Sequence, residues 1–315
     1  MAKSPAASGR RLLDQIRKRW QLLAFLVLPL TYLIIFCYIP MIDVQIAFRR
    51  YLPAYGVWNS EWVGFANFTK FFKSFQFSRV VGNTIKISLY SLAVNFPLAI
   101  IFSLMLNVMR AQKLKKVAQM IMYVPHFISV VVLVGMIIQL CNPVVGLYGN
   151  LYRLFSGPGA YPTDPLGNPN NFIHMYVWTG VWQGLGWSTI IYIAALSGVD
   201  PGLHEAAEID GATRLQRIFH VDLPCILPTA SIMLILNAGN VMSVGFEKVY
   251  LMQNNLNLMY SETISTYVYK TGMSGGGTQF SYATAIGLFN SVINFALLLI
   301  VNKTASKLEG GTSLW

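Results

Sequence analysis

Charge is what this chain has least of: Asp, Glu, Lys and Arg make up 11% of its 315 residues, and only twelve residues are acidic. With hydrophobic residues at 55% and a mean hydropathy of +0.52, that scarcity excludes an ordinary soluble domain. It places the chain among polytopic membrane proteins, as one all-helical membrane domain. Cysteine is also scarce. Cys37, Cys141 and Cys225 each lie in or at the end of an apolar run, without metal-ligand spacing, so they read as small buried apolar residues rather than a disulfide framework or a metal site. Phosphate loops of the GxxxxGK[ST] type, HExxH and CxxC are missing, and Gly275-Gly276-Gly277 has neither the following Lys-Ser/Thr nor a preceding strand. The chain therefore carries no signature for ATP hydrolysis, no catalytic constellation and no cofactor site of its own. Acidic groups are absent from the apolar runs, where the ionisable groups are His126 and His174 near span ends and a lone Lys86. That pattern counts against a proton- or sodium-coupled secondary transporter, which needs intramembrane carboxylates or several histidines.

What charge there is has an order. The net charge of +11 comes from basic residues gathered beside apolar runs and not in one patch, which points to membrane topology and away from nucleic acid. Residues 1–20 form a polar segment with Lys3, Arg10, Arg11, Arg17, Lys18 and Arg19. The apolar run 21–41 that follows is too long for a signal-peptide core and lacks a small-x-small cleavage site, so it reads as an uncleaved first span starting in the cytosol. Further spans are expected at 83–106, 117–140, 172–197, 225–246 and 281–301. Six spans make a membrane domain over 21–303, with both termini cytosolic and a tail over 304–315. Arg110, Lys113, Lys115 and Lys116 mark a cytosolic turn; in all, fourteen Lys and Arg fall on inside segments and eight on the longer outside ones, as the positive-inside rule requires.

The outside segments have their own character. Residues 43–82 carry Trp58, Trp62, Phe65, Phe68, Phe71, Phe72, Phe75 and Phe77, a set that suits either a landing surface for an external partner or an interfacial aromatic belt. Residues 141–171 are rich in Pro, Gly and Asn, with a short helix expected at 147–155, and 247–280 form the last outside segment. Pro125-His126 interrupts the third span. His126 suits a proton relay or, as a lone histidine beside a proline, a structural hydrogen-bonding group.

The most informative stretch is polar and lies between the fourth and fifth spans, at 198–224. Asp200-Pro201 is an N-cap followed by proline at the first helical position, so 203–209 can form a helix that Gly211 ends. Thr213 with Gln216 is a capping box for a second helix, with Leu215, Ile218 and Phe219 on one face and Leu223-Pro224 as its stop. Glu205-Ala206-Ala207, Asp210-Gly211-Ala212, Phe219, Leu223-Pro224 and Pro228 resemble the EAA loop of permease subunits of binding-protein-dependent type I ABC importers. The span order and the segment Tyr123-Val124-Pro125-His126-Phe127-Ile128-Ser129 are similar to the branch that imports oligosaccharides and polysaccharide fragments. The small departure is Val221, where the family often has isoleucine.

The resemblance implies a bacterial inner-membrane subunit that pairs with a second homologous permease, two ATPase subunits that hold ATP and Mg, and an extracellular or periplasmic solute-binding protein. In it the loop would form coupling helices docked on the ATPase: Glu205 and Asp210 for polar contacts, Ala206, Ala207 and Ala212 for close packing, Gly211 for the turn, Phe219 to anchor the second helix. The cargo would be a carbohydrate, and the external excess of basic residues leans toward an acidic one. Candidates for the path are Gln139, Trp178, Trp182, Gln183, Trp187, Asn237, Asn240, Asn290 and Asn294, since flat aromatic faces and amides suit sugar rings and hydroxyls. The same residues equally suit interfacial anchors and amide links between helices. Other readings are an ion-coupled transporter, a metal-dependent membrane transferase using Glu205, Glu208 and Asp210, and a homologous permease for a solute such as glycerol phosphate.

Overall fold

The computed structural model describes residues 18–157, 159–274 and 279–308. The basic segment up to residue 17, the glycine triplet 275–277 and the tail beyond 308 lie outside the described residues. The chain is helical almost throughout, because helices satisfy their own peptide groups where no water can do so. Helix α1 (Trp20–Leu33) runs on through a π turn (Ile34–Tyr38), a short helix (Ile39–Met41) and a 3₁₀ segment (Ile42–Phe48). A two-residue antiparallel ribbon, β1 (Arg49–Arg50) with β2 (Glu61–Trp62), precedes α2 (Ala66–Phe72). Then come α3 (Phe75–Val108), α4 (Gln112–Tyr123), α5 (Val130–Cys141), α6 (Leu147–Ser156), α7 (Phe172–Ser197) and α8 (Pro201–Ile209). The rest is α9 (Arg214–Arg217), α10 (Leu223–Ala238), α11 (Phe246–Met252), α12 (Leu258–Ser261), α13 (Ile264–Tyr269) and α14 (Phe280–Leu308).

Four helical stretches among the described residues are long and apolar enough to cross a membrane: 23–48, 75–108, 214–238 and 280–304, and a bent pair, 112–127 with 130–141, makes a fifth. Helix α7 has the length, 26 residues or about 39 Å, but is too polar for that group. It has the position to match its composition: α7 packs against α3, α4 and α10, so protein and not lipid surrounds much of it. Helix α1 is the opposite case. Its described side chains are exposed, Phe25 at 81% and Leu28 at 79%, and among the described residues no other helix covers it.

Three boundaries differ from the sequence reading. The second long helix starts at Phe75, eight residues before the expected span, because the aromatic segment ahead of it folds: Phe71 is buried and packs edge-on to Phe77 and Phe289. The third span is interrupted at Pro125-His126 as expected, but the interruption is a sharp bend, α4 and α5 meeting at 97°. Pro125 opens a 3₁₀ turn (Val124–Phe127), and Ser129 caps α5, its Oγ accepting from the Val132 amide at 3.3 Å. The fifth helix ends at Ala238 instead of 246, and Cys37 and Cys225 are exposed rather than buried. The expected short helix at 147–155 is present as α6.

The core has three apolar clusters stacked along α3: Ala99 and Leu104 with Tyr192, Leu196 and Ile226; Ile87 with Leu133, Phe172 and Val249; and Val80 with Phe71, Ile264 and Ile286. Helices α7 and α4 come closest at Gly186, where an added Cβ would stand 2.0 Å from the Met122 carbonyl oxygen. Small residues let membrane helices come this close. Gly186→Ala is expected to force α4 from α7 and destabilise the protein by about 1–3 kcal/mol, seen as a lowered midpoint of thermal unfolding in detergent. Gly184→Ala, which meets open space, should leave the midpoint in place.

Candidate functional site: a braced elbow and a polar cavity

The 198–224 segment folds as an elbow whose two arms are tied locally and then to the bundle. The Asp200 carboxylate accepts from the Gly202 amide at 3.0 Å, capping α8. At the other end Gly211 adopts φ +77°, the Gly211 amide donates to the Glu208 carbonyl at 3.1 Å and the Ala212 amide to the Ala207 carbonyl at 2.9 Å. That pair of bonds is a Schellman cap, which needs a left-handed residue at the position Gly211 fills. The capping box is formed: Thr213 N donates to Gln216 Oε1 at 2.7 Å, and Gln216 N to Thr213 Oγ1 at 3.4 Å. Arg217 pairs with Glu208 across the elbow.

The second arm does not stop at Leu223-Pro224. A π turn, Ile218–Asp222, joins α9 to α10, and the Leu223 amide reaches back five residues to the Ile218 carbonyl. The wider turn absorbs the proline, which cannot donate and would crowd the carbonyl four residues before it. Phe219 is not an anchor either, being 61% exposed. Anchoring falls to Asp222, buried to 1% exposure, whose carboxylate accepts from Asn107 Nδ2 of α3 at 3.2 Å and lies 3.3 Å from His204 Nε2 of α8. Sequence reading missed this triad because its members are 18 and 115 residues from Asp222. A hollow of about 500 Å³ beside it is lined by Arg110, Glu205, Glu208 and Arg214.

The outer surface of the elbow is what a partner would meet. Glu205, Ala206, Asp210, Gly211 and Pro224 are exposed, and Ala207, Ala212 and Leu223 are half-buried. Ile209, at 87%, and Leu215, at 67%, join Phe219 as exposed apolar side chains, a set that alternates with the carboxylates.

The residues expected along one path do not assemble there. A cavity of about 380 Å³ opens between α3, α7 and α10, and its polar lining is Ser88, Ser91 and Asn95, Tyr176, Ser188 and Tyr192, and Asn237, Asn240 and Ser243. Of the nine expected residues, Asn237 and Asn240 line it; each donates its amide four residues back to α10, to Met233 O at 2.8 Å and Leu236 O at 3.0 Å, leaving the carbonyl oxygens free to accept. Gln183 instead donates to Ile128 O at 2.8 Å, satisfying a carbonyl freed by the break between α4 and α5. Trp187 stacks on His126 at 4.5 Å, so His126 serves packing. Trp178 donates to the Tyr90 hydroxyl at 3.1 Å, which meets His174 Nδ1 at 3.1 Å. Asn294 braces the turn after α10, accepting from the Met242 amide and donating to Ser243 Oγ, both at 2.9 Å. Trp182 and Gln139 are exposed away from the cavity, and Asn290 lines a separate apolar groove of about 730 Å³ with Val44, Phe246 and Tyr269. The spacing of Ser88, Ser91 and Asn95, i, i+3 and i+7 on one helical face, was the legible signal for the true lining. No group of three His, Cys, Asp or Glu side chains among the described residues is placed to hold a metal ion.

A helical membrane bundle with a capped polar elbow on one end and a polar cavity between its long helices defines a transport permease. Residues 95–308 match the model of the binding-protein-dependent transport system inner membrane component, and the chain belongs to that family. It is 38% identical over 299 residues to the polygalacturonan/rhamnogalacturonan transport system permease protein YteP of Bacillus subtilis (strain 168), spanning 95% of this chain and 91% of that protein. A chain of a bacterial ABC transporter involved in the import of the acidic polysaccharide alginate superposes with a TM-score of 0.86 at 34% identity, over 95% of this chain and 99% of that one. The bacterial alginate ABC transporter in complex with an alginate pentasaccharide-bound periplasmic protein gives 0.86 at 33% identity, over 96% and 99%. The protein is thus a multi-pass inner-membrane component of a binding-protein-dependent importer.

Removing the buried acid tests the brace. Asp222→Ala leaves Asn107 and His204 without their shared acceptor and is expected to loosen the elbow by about 1–3 kcal/mol. Limited trypsin digestion should then cut at Arg214 or Arg217 several-fold faster, with the helical circular dichroism unchanged.

Proposed function

We propose that this chain forms half of the translocation pathway of an ATP-driven importer for an acidic oligosaccharide, of the uronate-containing kind named for its relatives. The observation that carries the reading is the cavity between α3, α7 and α10, whose hydroxyls, amides and tyrosines match a carbohydrate. It sits in a chain that is alike over nearly its whole length to permeases named for polygalacturonan and alginate transport. A second homologous permease would supply the other half of the pathway. A solute-binding protein would deliver the sugar on the external side.

In this reading the chain crosses the membrane six times, through α1, α3, the broken pair α4–α5, α7, the helix through α9 and α10, and α14. Both termini and the elbow face the cytosol, so the domain is 21–303 with short cytosolic ends. Two ATPase subunits, holding ATP and Mg, dock on the elbow: Glu205 and Asp210 make polar contacts, Ala206, Ala207 and Ala212 allow close approach, and Ile209, Leu215 and Phe219 insert apolar side chains. The chain itself catalyses nothing. Closure of the ATPase dimer draws the elbows together. Because Asp222 ties the elbow to α3 and the π turn makes it continuous with α10, that movement passes straight to two of the three helices lining the cavity.

Gly211→Asp tests the docking role. An L-residue in the left-handed region costs about 1–2 kcal/mol, and here it also puts a third carboxylate beside Glu208 and Asp210. Purified from its host in mild detergent, the wild type should bring down an ATPase and a second permease, and the complex should hydrolyse ATP faster when its binding protein carries oligogalacturonate. The variant should keep the second permease and lose most of the ATPase. Recovery of a lone homo-oligomer without ATPase from the wild type would refute the importer reading.

A further inference from the structure

Lys248 on α11 is a buried cation without a counter-ion. It is 7% exposed, and no carboxylate pairs with it among the described residues. Its Nζ donates to the Tyr176 carbonyl at 2.9 Å and stands 4.8 Å from the centre of the Tyr176 ring. It also lies against the α7 backbone, where a Cβ at Gly180 would meet it at 3.2 Å. A buried ammonium with one carbonyl and an aromatic face has two donors left over, and an unpaired buried charge is costly. α11 is not one of the spanning helices, and burial lowers the Lys248 ammonium to about 8, still mostly protonated at neutral pH.

The position accounts for that cost. Tyr176 lines the polar cavity, its hydroxyl close against Gly245 on the same wall, so Lys248 stands one side chain behind the lining. Among the described residues, every other basic side chain outside the elbow end is exposed or half-buried, and Arg79 and Lys270 share Glu262 while Arg50 has Glu61. Among the described residues, Lys248 alone combines burial, proximity to the cavity and the lack of a carboxylate.

We propose that Lys248 is a specificity-determining residue, the positive charge that receives a substrate carboxylate in the cavity, with the Tyr176 ring holding the ammonium until the anion replaces it. The inference rests on the acidic-oligosaccharide reading and adds the residue that reads the acid. A carboxylate supplies a charge-assisted hydrogen bond that an aromatic face cannot, so the preference for acid over neutral sugar passes through this one side chain. A solely structural lysine, linking α11 to α7, would favour neither sugar.

The test is equilibrium binding to the complete transporter, trapped with ATP and vanadate so that no binding protein is needed, using radiolabelled trigalacturonate and its carboxyl-reduced neutral counterpart. Wild type should bind the acid at least about tenfold tighter than the neutral sugar, the difference a hydrogen bond to a charged group makes. Lys248→Met should lose that preference while binding the neutral sugar unchanged, and Lys248→Arg should keep most of it. Unfolding of Lys248→Met should come at the same temperature or higher, since a buried charge is removed. A Met variant that keeps the acid preference overturns the role of Lys248, as does equal loss of both sugars. A wild type without any preference overturns the acidic-substrate reading itself.

Discussion

Every peptide group that leaves a helix inside an apolar slab must find its partner within the protein, and that constraint shapes this chain wherever its helices break. Three such places among the described residues adjoin the cavity or the elbow. Between α4 and α5 the freed Ile128 carbonyl is taken by Gln183 of the neighbouring helix. Between α9 and α10 the π turn shifts the register by one residue, so that the Leu223 amide still finds the Ile218 carbonyl just ahead of Pro224. After α10 the turn at 239–245 is held by Asn294, which serves both a backbone amide and a hydroxyl. Each break is thus solved by an amide side chain or a register change, and each lies beside the cavity or the elbow.

The second consequence concerns where polarity can be tolerated. Helix α7 carries histidine, glutamine, serine, tyrosine and three tryptophans, a composition ill suited to lipid, and it stands against three other helices. Its glycines set how near they come: Gly186 admits the Met122 backbone, and Gly180 leaves room for the Lys248 ammonium. The polar groups left over, Tyr176, Ser188 and Tyr192, meet those of α3 and α10 in one cavity. A polar cavity at the centre of an apolar chain follows from burying a polar helix without filling the space beside it.

The elbow and the cavity are mechanically one object. The Schellman cap and capping box make the elbow rigid for its size, and the Asn107–Asp222–His204 cluster fastens it to α3. Continuity through the π turn fastens it to α10. Both of those helices line the cavity, so a push on Ile209 or Phe219 has no flexible joint in which to dissipate.

By itself the sequence determined what local chemistry decides. The helical class follows from scarce charge and long apolar runs, the fourth helix over 172–197 from its flanking turn residues, and the elbow from Asp200-Pro201, Gly211 and the Thr213–Gln216 pair, because caps depend on residues within a few positions. It also carried the family resemblance. Tertiary structure decided everything that depends on which helix faces which. Trp178, Trp187, Gln183 and Asn294 look like path residues when taken singly, and each turns out to be paired with a group far away in the chain. Ser88, Ser91 and Asn95 look like filler until α7 and α10 are set opposite them. Phe219 reads as an anchor by family resemblance and is exposed, since its face of the elbow has no neighbour among the described residues. An amide or an aromatic ring is equally content against lipid headgroups, a backbone carbonyl or a sugar, and only the packing of the bundle selects among those partners.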